Sequence, residues 1–367
     1  MTAGPSGYVL AVSLEPLDAT TTLFFGHLGD GVAGALRVVR HDHPDLAAQL
    51  AGASAVVLVR ALFEMEQVEW TCRLLGVPLF YFADDNFMVL REQPGPWSLF
   101  VERYSVANVR ARLRGFAGVL LSSASLIEYF ERERLHSTLI LFPPVGWPKP
   151  LSRPASRPST LGVGFFGGMH LHSTFREVVM PAIERLAATR PLRLIIAGLD
   201  SAIASSPGLT IAAQQYESSY AGGLASLARS GVDVLVHPSV AGLANNLYKN
   251  PHALISAHAL GAVPVVSARP PYDHLRDEGV VLQCEDTVES WHAALVLAAD
   301  ADAGGCIREQ LAAYCASQFD GRANRQVVAE MISSHPAPDG GTRWRRTVAA
   351  ASLRAARLRG RLKRIWS

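Results

Sequence analysis

Three stretches of this chain carry residue types and spacings that could do chemistry. In Gly162–His172, GVGFFGGMHLH, an apolar run ends in a glycine pair and an amphipathic stretch follows. Glycines let backbone amides come close to an oxyanion, and the start of a helix adds partial positive charge. Gly167, Gly168 and His170 are therefore candidate contacts for a diphosphate, although the same pattern also makes an ordinary tight strand-to-helix connection. In Leu79–Phe87, LFYFADDNF, an apolar run ends in Asp84 and Asp85, which either serve a reacting hydroxyl or cap the turn that follows. In Gly26–Gly34, GHLGDGVAG, the Gly29, Gly31 and Gly34 spacing does not directly follow the first strand and no acid closes a clean second strand, so a nicotinamide-dinucleotide site is rejected. A substrate loop containing His27 and Asp30 is the better account.

The elements that must position these residues alternate along the chain. Short β-branched runs are readable at Tyr8–Leu14, Leu36–Arg40, Ala55–Val59, Leu79–Ala83, Gly118–Ser122 and Thr138–Phe142, separated by amphipathic stretches. That is the pattern of a parallel sheet covered by helices. Around Pro143–Pro158 the composition turns proline-rich, too stiff and too poor in N–H donors for the interior of a sheet. The alternation then restarts. Strands are expected at Gly162–Phe166, Leu192–Ala197, Val232–His237, Val263–Ser267 and Gly279–Gln283, and helices at Ser173–Ala188, Ser218–Ser230, Pro251–Leu260, Glu289–Ala299 and Ile307–Ser317. The expected division is a first Rossmann-like domain at 1–145, a linker at 146–159, a second Rossmann-like domain at 160–334, and a breaker plus basic tail at 335–367.

Composition narrows the class further. With 367 residues, 49% of them hydrophobic, the chain can build two cores. No apolar run reaches the roughly 18 to 20 residues of a membrane span. Met1–Gly7 lacks a basic and apolar leader, which points to the cytoplasm. Cys72, Cys284, Cys306 and Cys315 are scattered without a CxxC pair, so neither a metal nor another bound cofactor is expected. The nine Lys and Arg between Arg343 and Arg364 leave the rest of a chain of net charge +2 at −7. In this tail Leu358, Leu362, Ile365 and Trp366 fall on one helical stripe among arginines. Residues 342–367 thus suit an anionic membrane surface or, alternatively, a partner-binding or RNA-contacting tail, with no DNA expected.

The segment Asp233–Tyr272, DVLVHPSVAGLANNLYKNPHALISAHALGAVPVVSARPPY, resembles the donor-binding core of GT-B glycosyltransferases, particularly the large family-4-like group. In that group an asparagine, a lysine, a serine, then a lysine and a glutamate precede A-x-G-x-PVV-x-S and a Pro-Tyr. The likeness covers most of residues 160–320. It implies two Rossmann-like domains facing across a cleft, and transfer of a sugar from a nucleotide-diphosphate sugar to a glycan or lipid-linked acceptor, without a metal and with retention. Asn246 and Lys249 match the family's asparagine and first lysine, and the lysine would neutralise the departing phosphates. Gly261, Pro264 and Ser267 match its structural positions, Gly261 bordering the donor segment. Asp85 and Asp84, at a strand end that faces the cleft in relatives, become candidates for orienting or deprotonating the acceptor, and His27 and Asp30 lie on the acceptor side. The sequence departs from the pattern at Ala253, in place of the second lysine, and at Ser256, in place of the ribose-binding glutamate. The E-x7-E pair falls on Tyr248 and Ser256. A serine keeps hydrogen bonding to a hydroxyl but loses the charged bidentate contact. The rival reading is a silent GT-B module that binds glycan or nucleotide in a polysaccharide assembly complex.

Overall fold

The computed structural model describes residues 7–28, 34–93, 101–152, 160–167, 171–197, 206–214, 217–335 and 345–353. They form two compact units, one of residues 1–145 with 321–367 and the other of 146–320.

The first unit is a six-stranded, wholly parallel sheet in the order β2-β1-β3-β4-β5-β6. Its strands are β1 (Val9–Ser13), β2 (Leu36–Arg40), β3 (Ala55–Val59), β4 (Leu79–Ala83), β5 (Gly118–Leu121) and β6 (Leu139–Leu141). The inner strands β1, β3, β4 and β5 are buried at every residue, because a parallel sheet is covered on both faces and cannot alternate. Edge strand β2 instead exposes Arg37 and Arg40. Crossovers run through α1 (Ala19–Phe24), α2 (Leu46–Gly52), α3 (Glu66–Leu75) and α4 (Phe87–Glu92), then helices Val106–Leu113 and Ala124–Arg132.

The second unit is also a six-stranded parallel sheet, ordered β12-β11-β10-β7-β8-β9. These are β7 (Leu161–Phe166), β8 (Leu192–Ala197), β9 (Leu209–Ala213), β10 (Val234–His237), β11 (Val263–Ser267) and β12 (Leu282–Cys284). Its core gathers Val163, Phe165, Phe175, Ile183, Val236, Val265 and Trp291, all fully or nearly fully buried.

Some elements depart from expectation. Strand β9, at a sheet edge, buries only Leu209 and leaves the rest half-buried or exposed, so its pattern is faint. The strand expected at Gly279–Gln283 is confined to β12. The expected helix Ser173–Ala188 is a short turn His172–Thr174, a π-helical turn Phe175–Val179 and an α-helix Met180–Ala187. Pro181 explains the π turn: it has no N–H for the Glu177 carbonyl, and Met180 N–H reaches back to Phe175 O instead.

Helix Arg322–Ser334 was not expected, and its residues were placed with the second domain; they group with the first unit. Asn324 Nδ2 donates to Pro143 O at 2.7 Å and the His335 ring lies 6.0 Å from Phe80. Of the tail, residues 345–353 are helical and return to the first unit, burying Ala349 and Leu353, while Gln67 Nε2 donates to Ser352 Oγ. The apolar stripe Leu358, Leu362, Ile365 and Trp366 lies outside the described residues. Among those described, no helix is long and apolar enough to cross a membrane.

Candidate functional site

Open parallel sheets bind ligands beyond the carboxyl ends of their strands, where the strand order reverses direction. In the first unit that point lies between β1 and β3, and in the second between β7 and β10.

Arg60 stands directly after β3 in a left-handed conformation (φ 63°), unusual for a residue with a side chain. Its carbonyl accepts hydrogen bonds from Tyr81 and Tyr104, each at 2.9 Å, and its N–H donates to Phe82 O at 2.9 Å. The backbone is thereby held where the guanidinium meets three carboxylates. Nη2 lies 2.8 Å from Asp85 Oδ2, Nε 3.1 Å from Asp84 Oδ1, and Nη1 3.8 Å from Asp18 Oδ2. Thr20 bridges the group, donating to Asp84 Oδ2 at 2.5 Å and accepting from Arg60 Nη1 at 3.3 Å. Burial works against the Arg60 charge, but Asp84, Asp85 and Asp18 outweigh it and raise its pKa, so the guanidinium stays protonated. Burial also pushes the Tyr81 and Tyr104 phenols up.

The paired aspartates are thus the counter-charge of Arg60. The following helix is capped by neither of them; Asn86 Oδ1 accepts from Val89 N at 3.2 Å. Asp85 is 7% exposed and Asp84 half-buried. His27 is half-buried in the short 3-10 turn Gly26–Leu28, and Asp30 lies outside the described residues. Sequence reasoning missed Arg60, Asp18 and Thr20. The available signal was an arginine immediately after the fully apolar run AVVLV.

In the second unit, Gly167 follows β7 at the switch point. A Cβ there would lie 2.7 Å from Leu171 Cδ1, so a side chain at this position would have to push Leu171 aside. Gly168 and His170 lie outside the described residues. His237 ends β10, almost buried; Tyr272 Oη and His237 Nδ1 are 3.1 Å apart, and the His252 ring stands edge-on at 5.1 Å. The loop that follows is pinned by Ser239 N–H donating to Ser267 Oγ at 2.9 Å, at the end of β11. Asn246 Nδ2 staples the loop by donating to Val240 O at 3.1 Å, and the 3-10 helix Ala244–Tyr248 delivers Lys249, half-buried and extended.

Two further candidate donor positions lie on, or directly after, helix His252–Leu260. Ser256 is 4% exposed on helix His252–Leu260; its Oγ lies 2.6 Å from Tyr220 Oη and donates to His252 O at 3.2 Å. Tyr220, stacked on Phe166 at 5.4 Å, has its phenol pushed up to about 12 by burial, against the opposing effect of Ser256. Gly261 caps the end of that helix in a left-handed conformation (φ 58°), which glycine adopts without strain. It lies at the amino end of β11, away from the edge that carries Gly167 and Lys249. On the same helix His258 is buried, which lowers its pKa, while its bond to the Trp147 backbone opposes the shift. Among the described residues no group of three or more His, Cys, Asp or Glu is placed to hold a metal ion.

Two switch-ordered Rossmann-like units are the architecture of GT-B glycosyltransferases, and comparison with solved structures agrees. The chain is similar to Anabaena HepE in complex with UDP and glucose, with a TM-score of 0.56 and 14% identity over 89% of this chain and 100% of that one. It is similar to sucrose-phosphate synthase from Thermosynechococcus elongatus, with a TM-score of 0.57 and 12% identity over 89% and 98%. It is also similar to the UDP-forming trehalose-phosphate synthase of Burkholderia vietnamiensis, with a TM-score of 0.51 and 12% identity over 90% and 99%. No family model matches the chain, and no curated protein matches it. At these identities the likeness establishes the GT-B fold.

Proposed function

We propose that the protein is a glycosyltransferase that moves a sugar from a nucleotide-diphosphate sugar to a glycan or lipid-linked hydroxyl. The observation that carries this reading is the second unit's switch point. Gly167 after β7 and the pinned loop bearing Lys249 after β10 flank the reversal in strand order, where a diphosphate finds close backbone and one cation. Catalysis is then positioning plus stabilisation of the departing phosphate by Lys249, metal-independent and, by resemblance to the family-4-like group, retaining. Gly168, His170 and Asn246 complete the proposed donor contacts. Asp84, Asp85, His27 and Asp30 serve the acceptor side, the two aspartates through the geometry Arg60 imposes. The tail, residues 342–367, brings the protein to the inner face of a membrane.

A second reading, a silent module that binds nucleotide or glycan within a polysaccharide assembly complex, is favoured by one observation. The Ser256 hydroxyl, at the family's glutamate position, is engaged by Tyr220 and His252. Calorimetric titration with a panel of nucleotide sugars, followed by turnover assays, separates the two. Donor binding with transfer supports the enzyme, binding without transfer to any acceptor supports the module, and no binding to any donor removes the enzyme and leaves the module only as a glycan binder.

A further inference from the structure

In the loop that leads from β10 into helix His252–Leu260, successive donors are spent locally. Asn246 Nδ2 donates to Val240 O at 3.1 Å, Lys249 N–H to Asn246 O at 3.3 Å, His252 N–H to Asn250 O at 2.8 Å and Leu254 N–H to Pro251 O at 3.0 Å. One donor is not spent. Asn250 Nδ2 is buried and finds no hydrogen-bond partner among the described residues. Pro251 disfavours helical backbone at the residue before it, so the helix begins at His252 and Asn250 stays in the loop, directly after Lys249. That place is at the reversal of strand order. Asn250 O lies 3.3 Å from His252 Nδ1, and the His252 ring stands 5.1 Å from that of His237, the last residue of β10. A buried amide donor without an acceptor costs stability, because it has given up water and gained nothing in return. Native folds leave few such groups, and each one calls for a function.

We infer that Asn250 binds the nucleotide-diphosphate sugar, its side-chain amide donating a hydrogen bond to an oxygen of the diphosphate. The inference rests on the sugar-transfer reading and deepens it, by adding a neutral, directional contact to the cation assigned there. An oxyanion is the ligand atom that fits, since Nδ2 only donates and the preceding residue is a lysine. The two side chains divide the work. A lysine ammonium is a point charge that holds an anion from many directions, whereas a planar carboxamide fixes one direction and so sets the orientation of the diphosphate.

The test is calorimetric titration of the full chain with inorganic pyrophosphate, a panel of nucleoside diphosphates and the matching nucleosides. Asn250→Ala should weaken diphosphate binding about tenfold, the loss expected for one charge-assisted hydrogen bond. Asn250→Asp has nearly the same shape but accepts where the amide donates and adds a like charge, so about a hundredfold loss is expected. Asn250→Ser keeps a donor and should stay within about threefold of the parent. Nucleosides, which carry no phosphate, should bind the parent and the variants alike. Without ligand, Asn250→Ala should melt no lower than the parent, because it removes an orphaned donor and not a contact. Equal diphosphate binding by the parent and Asn250→Ala, or a loss shared equally by the nucleosides, would overturn this inference and leave the sugar-transfer reading standing. A parent that binds no diphosphate removes that reading and this inference with it. A clearly lowered melting temperature in both Asn250→Ala and Asn250→Ser would make Asn250 a structural residue and also overturn it.

Discussion

At the carboxyl edge of the first sheet one guanidinium is shared by three carboxylates and fixed by two tyrosines. At the corresponding edge of the second sheet stand a close glycine turn, a His–Tyr pair and a loop ending in Lys249. Both edges sit at a reversal of strand order, so topology alone does not distinguish them. The difference lies in where charge is spent. The first edge neutralises its arginine internally and presents carboxylate oxygens in a fixed geometry, which suits hydroxyl recognition. The second sets a glycine turn and the loop carrying Lys249 on either side of the reversal, which suits a ligand that brings its own negative charge.

Substitutions should split along the same line. Lys249→Ala is expected to cut transfer by about three orders of magnitude with an unchanged melting temperature, measured by turnover of a bound donor. Undiminished turnover would remove the contrast altogether. Arg60→Ala should behave oppositely. It strands carboxylates that are largely buried, so about 3 kcal/mol of stability is lost, read by denaturant unfolding. Arg60→Gly should lose about 1 kcal/mol less, because glycine adopts the left-handed conformation without strain. Gly167→Ala should weaken donor affinity about tenfold by calorimetry, since the new Cβ must displace Leu171 or open the turn. The smallest effect concerns pH. His258 is held below its ordinary 6.5, so the unfolded chain takes up its proton first. Its contribution to stability is whole above 6.5 and is lost as pH falls from there toward the lowered folded value; His258→Asn should flatten this part of the stability profile.

The sheets were legible because covered parallel strands are continuously apolar, and AVVLV, LFYFA and VPVVS announce themselves without neighbours. The turn at Gly167 was legible for a similar reason, since a glycine pair after an apolar run is a local signal. The Arg60 hub was not, because it joins positions 18, 20, 60, 84 and 85, which converge only when β1, β3 and β4 lie side by side. The aspartates were visible and their partner was not, so a pair read as either serving a hydroxyl or capping a turn is found tied to a guanidinium. Ser256 has the same lesson at longer range: its hydroxyl is engaged by Tyr220, 36 positions away, and no spacing rule links them. Strand β9 and helix Arg322–Ser334 escaped notice through weak apolar patterning and a position beyond the last expected helix.

The π turn at Phe175–Val179 has a practical consequence for any relative that lacks it. A turn closed from residue i to i+5 holds one residue more than an α turn, so a gapless pairing through this helix slips by one position. Carried N-terminally, that slip rotates each partner by about 100° around the helix axis and matches Gly167 with a neighbour of its true counterpart. Comparison of the glycine turn across sequences should therefore be anchored on β7 and read forward from Phe166, with a single-residue gap opened before Pro181.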